Sequence, residues 1–279
     1  MLIKNATSVH IINGIFALII SLTFAFAVSA KEAKVAIIID DMGYRLSDQS
    51  AFELPTHVTF AILPHTDQSK RFSIQAHQQG RTVLLHLPME TLKPQKLGPG
   101  ALLASMNVDT IAVTLDQALK TVPNAVGVNN HMGSKLTQMS FPMTTLMEAL
   151  SERHLFFIDS RTTRFTKAHK IAVQTGVPVL ERRVFLDHEL TQGFITQQFR
   201  RLLALSQKYG QAIGIAHPHP LTIKLLKRLI KRESTVNFVA VTELFDKPNA
   251  RRLTTHNSNQ SDLSFAAHKP LVTGQSATN

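Results

Sequence analysis

Ionisable and amide side chains stand at five places along the chain, each directly after a short apolar run. These groups are Asp40 and Asp41, His86 and Glu90, the Asn129-Asn130-His131 triplet, Asp159 with Ser160 and Arg161, and His217 with His219. Imidazoles and carboxylates bind transition metal ions and transfer protons in hydrolysis. The sequence contains no Cys, which excludes thiol nucleophiles, thiolate metal ligands and disulfide bonds. Any metal site must therefore use His, Asp and Glu.

Each of these groups, taken singly, also has a purely structural interpretation. An Asp pair after a strand often caps a turn. Asp159 could pair with Arg161 or Arg164, and Glu90 could be a solvated loop carboxylate. A lone imidazole such as His65 is more often a surface or packed residue than a ligand. The repetition of polar groups after five apolar runs nevertheless favours one shared site.

The apolar runs themselves predict β-strands. Residues 35–39 are apolar without alternation, which is typical of a parallel strand buried on both faces. Similar runs predict strands at 58–62, 82–86, 125–129, 155–159, 177–181, 212–216 and 237–241. They alternate with amphipathic segments, so the sequence predicts βα units around a parallel sheet. In α/β barrels active sites form at the carboxyl ends of the strands, where all five polar groups would meet.

Helices are predicted where apolar residues recur at helical spacing. Two such sets are Met143, Leu146, Met147 and Leu150, and Ile195, Phe199, Leu202 and Leu203. Ser140 before Pro142 predicts the start of the first helix, and Gly210 predicts the end of the second. Residues 92–107 contain two Pro and two Gly and predict a loop that could cover one end of the barrel.

The charge of the chain raises the question of an anionic partner. The formal net charge is +11, and a basic chain invites a nucleic-acid interpretation. There is no nucleic-acid-binding motif, however, and only two Tyr and no Trp are present for base stacking. We therefore expect no nucleic acid partner. An anionic partner in the cell envelope explains the charge equally well.

The two ends of the chain predict export and a polar tail. Residues 1–30 contain an apolar stretch ending in Val28-Ser29-Ala30, which predicts a signal peptide cleaved after Ala30 and a periplasmic or secreted protein. The alternative is an uncleaved segment that anchors the chain in the membrane. Residues 248–279 are polar and lack apolar periodicity, so we expect a disordered tail. The domain between them is predicted to span residues 31–247.

Taken together, the motifs resemble those of the divergent polysaccharide deacetylases over roughly residues 34–245. The segments that carry the resemblance are 37–43 (IIIDDMG), 86–90 (HLPME), 129–134 (NNHMGS), 157–161 (FIDSR) and 214–218 (GIAHP). The resemblance implies an α/β fold, a distorted (β/α)7–8 barrel of the polysaccharide deacetylase type. In that family an Asp-Asp pair supplies a base and a metal ligand, and a late His acts as the acid.

Carried over residue by residue, the resemblance assigns Asp40 as the general base, Asp41 as a metal ligand and His217 as the general acid. His86 matches the first His of the family's metal motif, but Glu90 stands where the second His is expected. His131 could replace that imidazole, and Asp41, His86 and His131 would then hold a divalent metal, with zinc (Zn2+) the best match to such ligands.

The sequence leaves the roles of Asp159 and Glu90 open. Asp159 could orient or charge His217. Glu90 could be a fourth ligand, a partner for His86 or an alternative base. The residues of the sequence do not choose among these roles.

The resemblance implies a metal-dependent hydrolase that deacetylates an envelope polysaccharide or peptidoglycan. The alternative is a catalytically silent module that keeps the fold and binds glycan or an envelope protein partner, which the Glu90 departure favours. A third possibility is another metal hydrolase that acts on a peptide or a phosphate ester. Contact with the membrane is expected only through an uncleaved signal segment.

Overall fold

A computed structural model describes residues 33–245 of the 279-residue chain. The predicted signal segment at 1–30 and the predicted tail at 248–279 lie outside the described residues. Within the described range, no helix combines the length and the apolar character that crossing a membrane requires.

The described chain alternates strands and helices, as the sequence predicts. The strands are β1 (Lys34–Met42), β2 (Thr59–Ile62), β3 (Val83–Met89), β4 (Ala125–Met132), β5 (Phe156–Asp159), β6 (Val179–Glu181), β7 (Val184–Phe185), β8 (Gln211–Ala216) and β9 (Asn237–Phe238). The helices are α1 (Ser69–Gln78), α2 (Val108–Thr121), α3 (Ser140–Glu152), α4 (Ala168–Gln174), α5 (Gln192–Tyr209) and α6 (Pro220–Arg232).

All the strands belong to one parallel sheet that curls into a distorted barrel. The strand order is β6-β5-β4-β3-β2-β1-β8-β7, with β9 added beside β1. Only residues 182 and 183 join β6 to β7, and so short a link spans at most about 11 Å. The two edges of the sheet therefore lie close together without pairing. The predicted α/β barrel of the deacetylase type is confirmed.

Side chains of each strand alternate between two apolar clusters. The inner cluster takes Ile38, Leu84 and Ile158 from the strands and contains no described residue of α1–α6. The outer cluster takes the neighbouring positions, such as Ile37 and Phe157, and packs them against the helices. A residue at a strand end therefore points into the barrel mouth or towards the helices according to its position in this alternation.

The chain after β9 closes the end of the barrel opposite the polar strand ends. Val241, Leu244 and Phe245 belong to the inner cluster. The Lys34 ammonium group, at the start of β1, donates to the Glu243 carbonyl at 3.0 Å. The polar strand ends thus lie at the barrel end that this segment leaves uncovered.

The predicted elements agree with the structure except for one strand. All eight predicted strands are present, although β9 is only two residues long, and the two-residue β7 was not predicted. Helix α3 begins at Ser140, and α5 ends before Gly210, whose φ of 80° requires the left-handed conformation that glycine adopts readily. Residues 92–107 form a loop with one isolated bridge, between Met89 and Leu102.

Candidate metal centre and acid–base site

A β-bulge turns two consecutive aspartates towards the same space. The pairing of β1 with β2 shifts between Ile39 and Met42, so that β1 carries one extra residue there. Asp41 has a φ of 57°, in the left-handed region that non-glycine residues seldom occupy. Without this bulge, strand alternation would send Asp40 and Asp41 to opposite faces. Backbone strain of this kind clusters at functional sites.

Asp41, His86 and His131 bring three ligand atoms together at the barrel mouth. The Asp41 Oδ1 atom lies 3.1 Å from His86 Nε2 and 2.9 Å from His131 Nδ1, and the two imidazole nitrogens are 3.1 Å apart. Tetrahedral zinc with bonds of about 2.0–2.1 Å requires ligand atoms about 3.3 Å apart. The three residues therefore form a group that could hold a metal ion.

Asn129 fixes the proton of His86. Its amide nitrogen donates to Asp40 Oδ1 at 2.8 Å, which turns its carbonyl oxygen towards His86 Nδ1 at 2.9 Å. Because that oxygen only accepts, Nδ1 of His86 carries a proton, and in the neutral imidazole Nε2 keeps its lone pair. A lone pair on Nε2, facing Asp41 and His131, is what a metal ligand needs.

The arrangement leaves a buried acceptor for a cation to satisfy. The Asp41 Oδ1 atom has no hydrogen-bond partner among residues 33–245, although two imidazole nitrogens surround it. When both imidazoles are neutral, a cation between the three atoms would satisfy their lone pairs. The chemistry of the donor set and the orphaned oxygen therefore both fit a divalent metal ion.

Burial and neighbouring charges shift the pKa values of Asp41, Asp40 and His86 in opposite directions. Burial raises the pKa of Asp41, but the close contacts with His131 and His86 and their charge outweigh it and hold the pKa far below its ordinary value. Burial also raises the pKa of Asp40, which His86 and His217 oppose only in part. Burial lowers the pKa of His86, and the charge of Asp40 and the contact with Asp41 more than reverse this effect.

His217 is held by Asp187. The His217 Nδ1 atom lies 2.9 Å from Asp187 Oδ1, and the His217 backbone N–H donates to Asp187 Oδ2 at 2.8 Å. Thr222 donates its hydroxyl proton to the same carboxylate at 3.1 Å. The His217 Nε2 atom then faces the metal group, 4.0 Å from Asp41 Oδ2. Burial lowers the pKa of His217, but Asp187 outweighs this effect and raises the pKa to about 9, so Nε2 carries a proton at neutral pH.

The structure does not place Asp159 against His217, as the sequence analysis allowed. Phe157 belongs to the outer cluster and Ile158 to the inner one, so Asp159 points away from the barrel interior. Its carboxylate accepts from the Arg161 backbone N–H at 2.8 Å and from the Thr166 hydroxyl at 2.9 Å. The structure therefore gives Asp159 a role in holding the loop after β5.

Glu90 also lies away from the metal group. It forms an ion pair with Lys135, and its second carboxylate oxygen accepts from the Ala104 backbone N–H at 2.7 Å. The contact with Lys135 lowers the pKa of Glu90. Four residues along a strand span about 13 Å, so Glu90 is too distant from His86 to share its metal. None of the three roles proposed for Glu90 agrees with these contacts.

Sequence reasoning missed Asp187 and did not assign a role to Asn129. Asp187 follows the run Val184-Phe185-Leu186, which has the same form as the runs before the other polar groups. That run could have been identified as a strand, but it is short and follows two arginines. Phe185 packs beside the inner cluster and Leu186 belongs to the outer one, so alternation directs Asp187 to the mouth.

A cleft opens beside the metal group. Asp41, His131 and His217 line it together with Tyr44 and Arg45, and its volume is about 210 Å³. Asp41 and His131 are partly exposed to this cleft, whereas His86 is buried behind them. A ligand in the cleft could therefore reach the open side of the metal group and the Nε2 atom of His217.

The fold and the site together define a parallel α/β barrel of the polysaccharide deacetylase type. The sequence profile of the family described as divergent polysaccharide deacetylase matches residues 37–245. The chain belongs to this family. The comparisons thus confirm the family resemblance that the motifs indicated.

Three similar proteins illustrate this membership. The uncharacterized protein YibQ of Escherichia coli K12 is 38% identical over 217 residues, which are 77% of this chain and 68% of YibQ. An uncharacterized protein of Haemophilus influenzae is 38% identical over 228 residues, 81% of this chain and 79% of that protein. The crystal structure of an uncharacterized protein from Agrobacterium tumefaciens C58 superposes with a TM-score of 0.71 at 25% identity, covering 77% of this chain and 90% of that one.

Proposed function

We propose that this chain is an exported, metal-dependent hydrolase that removes acetyl groups from an envelope polysaccharide or peptidoglycan. The observation that carries the proposal is the convergence of a metal-ligand group with a buried carboxylate, Asp40, and the Asp187-held imidazole of His217 at one mouth of a deacetylase-type barrel. The donor set of one carboxylate and two imidazoles favours zinc over calcium or magnesium.

A divalent metal ion in this site would supply Lewis acidity that activates water and polarises an acyl carbonyl. The protein supplies the proton transfers. Asp40 Oδ1 is occupied by Asn129, whereas Oδ2 lies 3.7 Å from His86 Nε2, beside the metal group. The positive charge of a bound metal ion would favour the ionised form of Asp40. The Oδ2 atom of Asp40 can then accept a proton from water.

The acid lies beside Asp41, with His217 Nε2 4.0 Å from Asp41 Oδ2. Because Asp187 accepts the Nδ1 proton of His217, the Nε2 proton points into the cleft. Cleavage of an amide or ester requires a proton on the departing nitrogen or oxygen, and His217 can donate it. Asp41 is assigned to the metal rather than to proton transfer because its Oδ1 atom lies between the two ligand imidazoles.

The direct test is hydrolysis by the purified protein. We expect acetate release from acetylated glycan oligomers by zinc-loaded protein, loss of that release after chelation, and recovery when zinc is restored. Acetate is measured by an enzyme-coupled assay, and bound metal by mass spectrometry. If metal-loaded protein binds glycan or an envelope protein but releases no acetate from any acetylated oligomer, the silent binding module replaces the hydrolase.

Export is a separate prediction from the sequence of the first thirty residues. The mature protein should begin at Lys31, because the apolar stretch ends in a small-residue site, Val28-Ser29-Ala30. N-terminal sequencing of protein recovered from the periplasm or medium measures this. A chain recovered with Met1 to Ala30 intact would instead support a retained membrane anchor.

A further inference from the structure

A second cleft adjoins the first at the barrel mouth. It has a volume of about 150 Å³ and is lined by Thr66, Pro88 and residues 96–99 of the loop after β3. Tyr44 and His131 line both clefts. The proposed metal ligand His131 therefore borders two spaces, and Tyr44 and Leu63 border both as well.

Tyr44 combines an exposed ring with a fixed backbone. Its side chain is 65% exposed. On one side, the Gly43 carbonyl accepts the Thr66 hydroxyl at 2.6 Å. On the other side, the Arg45 backbone N–H donates to Asp48 at 2.8 Å. An aromatic ring on a rigid backbone is suited to ligand contact, since little conformational entropy is lost on binding.

The volumes indicate that one ligand occupies both clefts. Ligand sites usually measure about 300–1,000 Å³. Neither cleft reaches this range alone, at about 150 and 210 Å³, but the two together do. A ligand that used both would pass over Tyr44, whose apolar ring face could stack against a sugar ring.

The two clefts differ in charge. The first contains the metal group and His217. Lys96 is the only Lys, Arg, Asp or Glu among the described residues that line the second, and it has no ion-pair partner within residues 33–245. The Thr66 hydroxyl is already bonded to Gly43. An unpaired cation in a small cleft without carboxylates favours an anionic group.

We propose that the substrate is an anionic glycan chain that crosses Tyr44, with the acylated sugar in the first cleft and an acidic sugar unit in the second. This inference rests on the proposed function and names its substrate class. Tyr44 stacks on the chain, and Lys96 pairs with a carboxylate or phosphate of the neighbouring unit. Both are binding residues that determine specificity and take no part in the proton transfers.

Glycans without acyl groups test this inference independently of turnover. Calorimetric titration of the full chain would compare a β-1,4-linked glucose tetramer, the matching glucuronic acid tetramer and a 6-phosphorylated glucose tetramer. We expect one or both anionic tetramers to bind more tightly than the neutral one, with the difference lost at high salt. The tighter of the two identifies carboxylate or phosphate as the group recognised.

Variants separate the contribution of the Tyr44 ring from that of the Lys96 charge. For every tetramer that binds the wild-type protein, Tyr44→Ala should lower the affinity by about tenfold. Tyr44→Phe should leave the affinity unchanged. Lys96→Gln should lower affinity for the anionic tetramers by about threefold to fivefold and leave the neutral one unchanged. The matched controls are Tyr209→Ala, at the other exposed tyrosine, and Lys93→Gln, in the same loop. Both should bind as wild type.

Two results would overturn the inference: unchanged tetramer binding by Tyr44→Ala, or a preference for anionic tetramers that survives Lys96→Gln. Failure of the proposed function gives a different pattern. A protein that releases no acetate from acetylated glycans, yet shows the expected effects of Tyr44 and Lys96 variants, would uphold the binding site and refute the hydrolase.

Discussion

Replacing His86 with Ala should remove stoichiometric metal and, with it, hydrolysis of acetylated glycans. His86 supplies the buried nitrogen of the metal group, with its lone pair directed by Asn129. Loss of a second-shell partner already costs about 10–100-fold in metal affinity, and loss of a direct ligand should cost more. His131→Ala should act in the same direction, because Asp41 would again keep only one imidazole beside it.

Metal content by mass spectrometry and zinc affinity by competition with a chelator measure this effect. His77→Ala is the matched control, since His77 is an exposed imidazole on α1 and should bind metal as wild type does. Circular dichroism would establish that the variants fold. Stoichiometric zinc in folded His86→Ala and His131→Ala proteins would refute the assignment of the three ligands.

Most of the barrel could be predicted from the sequence because its strands are buried on both faces. A run such as residues 35–39, which is buried throughout, is typical of a parallel strand covered on both faces in an α/β fold. The carboxyl ends of parallel strands meet at one mouth, so Asp40, His86 and His131 could be placed together from their order alone. This rule brings the polar strand ends together, whereas Asp41 was assigned as a metal ligand from the family resemblance.

The roles considered for Asp159 and Glu90 do not match the structure, because placing a site residue requires the direction of its side chain as well as its strand. Asp159 ends β5, but alternation sends its side chain to the outer face with Phe157. Glu90 is four residues from His86, a spacing that brings side chains together on a helix but separates them along a strand. Asp187 was missed because β7 is only two residues long.

The bulge at Asp41 shows a different limit. An Asp-Asp pair in a regular strand would place its two carboxylates on opposite faces. The sequence alone does not reveal the extra residue in β1 or the positive φ of Asp41. Both depend on how β1 pairs with β2, a long-range contact that the local pattern of residues does not encode.

Asp40→Asn should keep the metal while losing most of the turnover. The Asn side chain has nearly the shape of Asp, and its carbonyl oxygen can still accept from Asn129, so the proton of His86 should stay on Nδ1. The group that replaces Oδ2 is an amide nitrogen, which cannot accept a proton from water. A general base typically contributes about 10²–10⁴-fold, and we expect a loss of kcat in that range.

The control for this substitution is Asp159→Asn, at the carboxylate on the outer face of the barrel. Its amide oxygen can still accept from the Arg161 backbone N–H, and it lies outside the metal group, so turnover should remain near that of the wild type. Acetate release and metal content are measured on the same preparations. Asp40→Asn protein that keeps full turnover would show that another group is the base. Loss of metal together with turnover would assign Asp40 to metal binding instead.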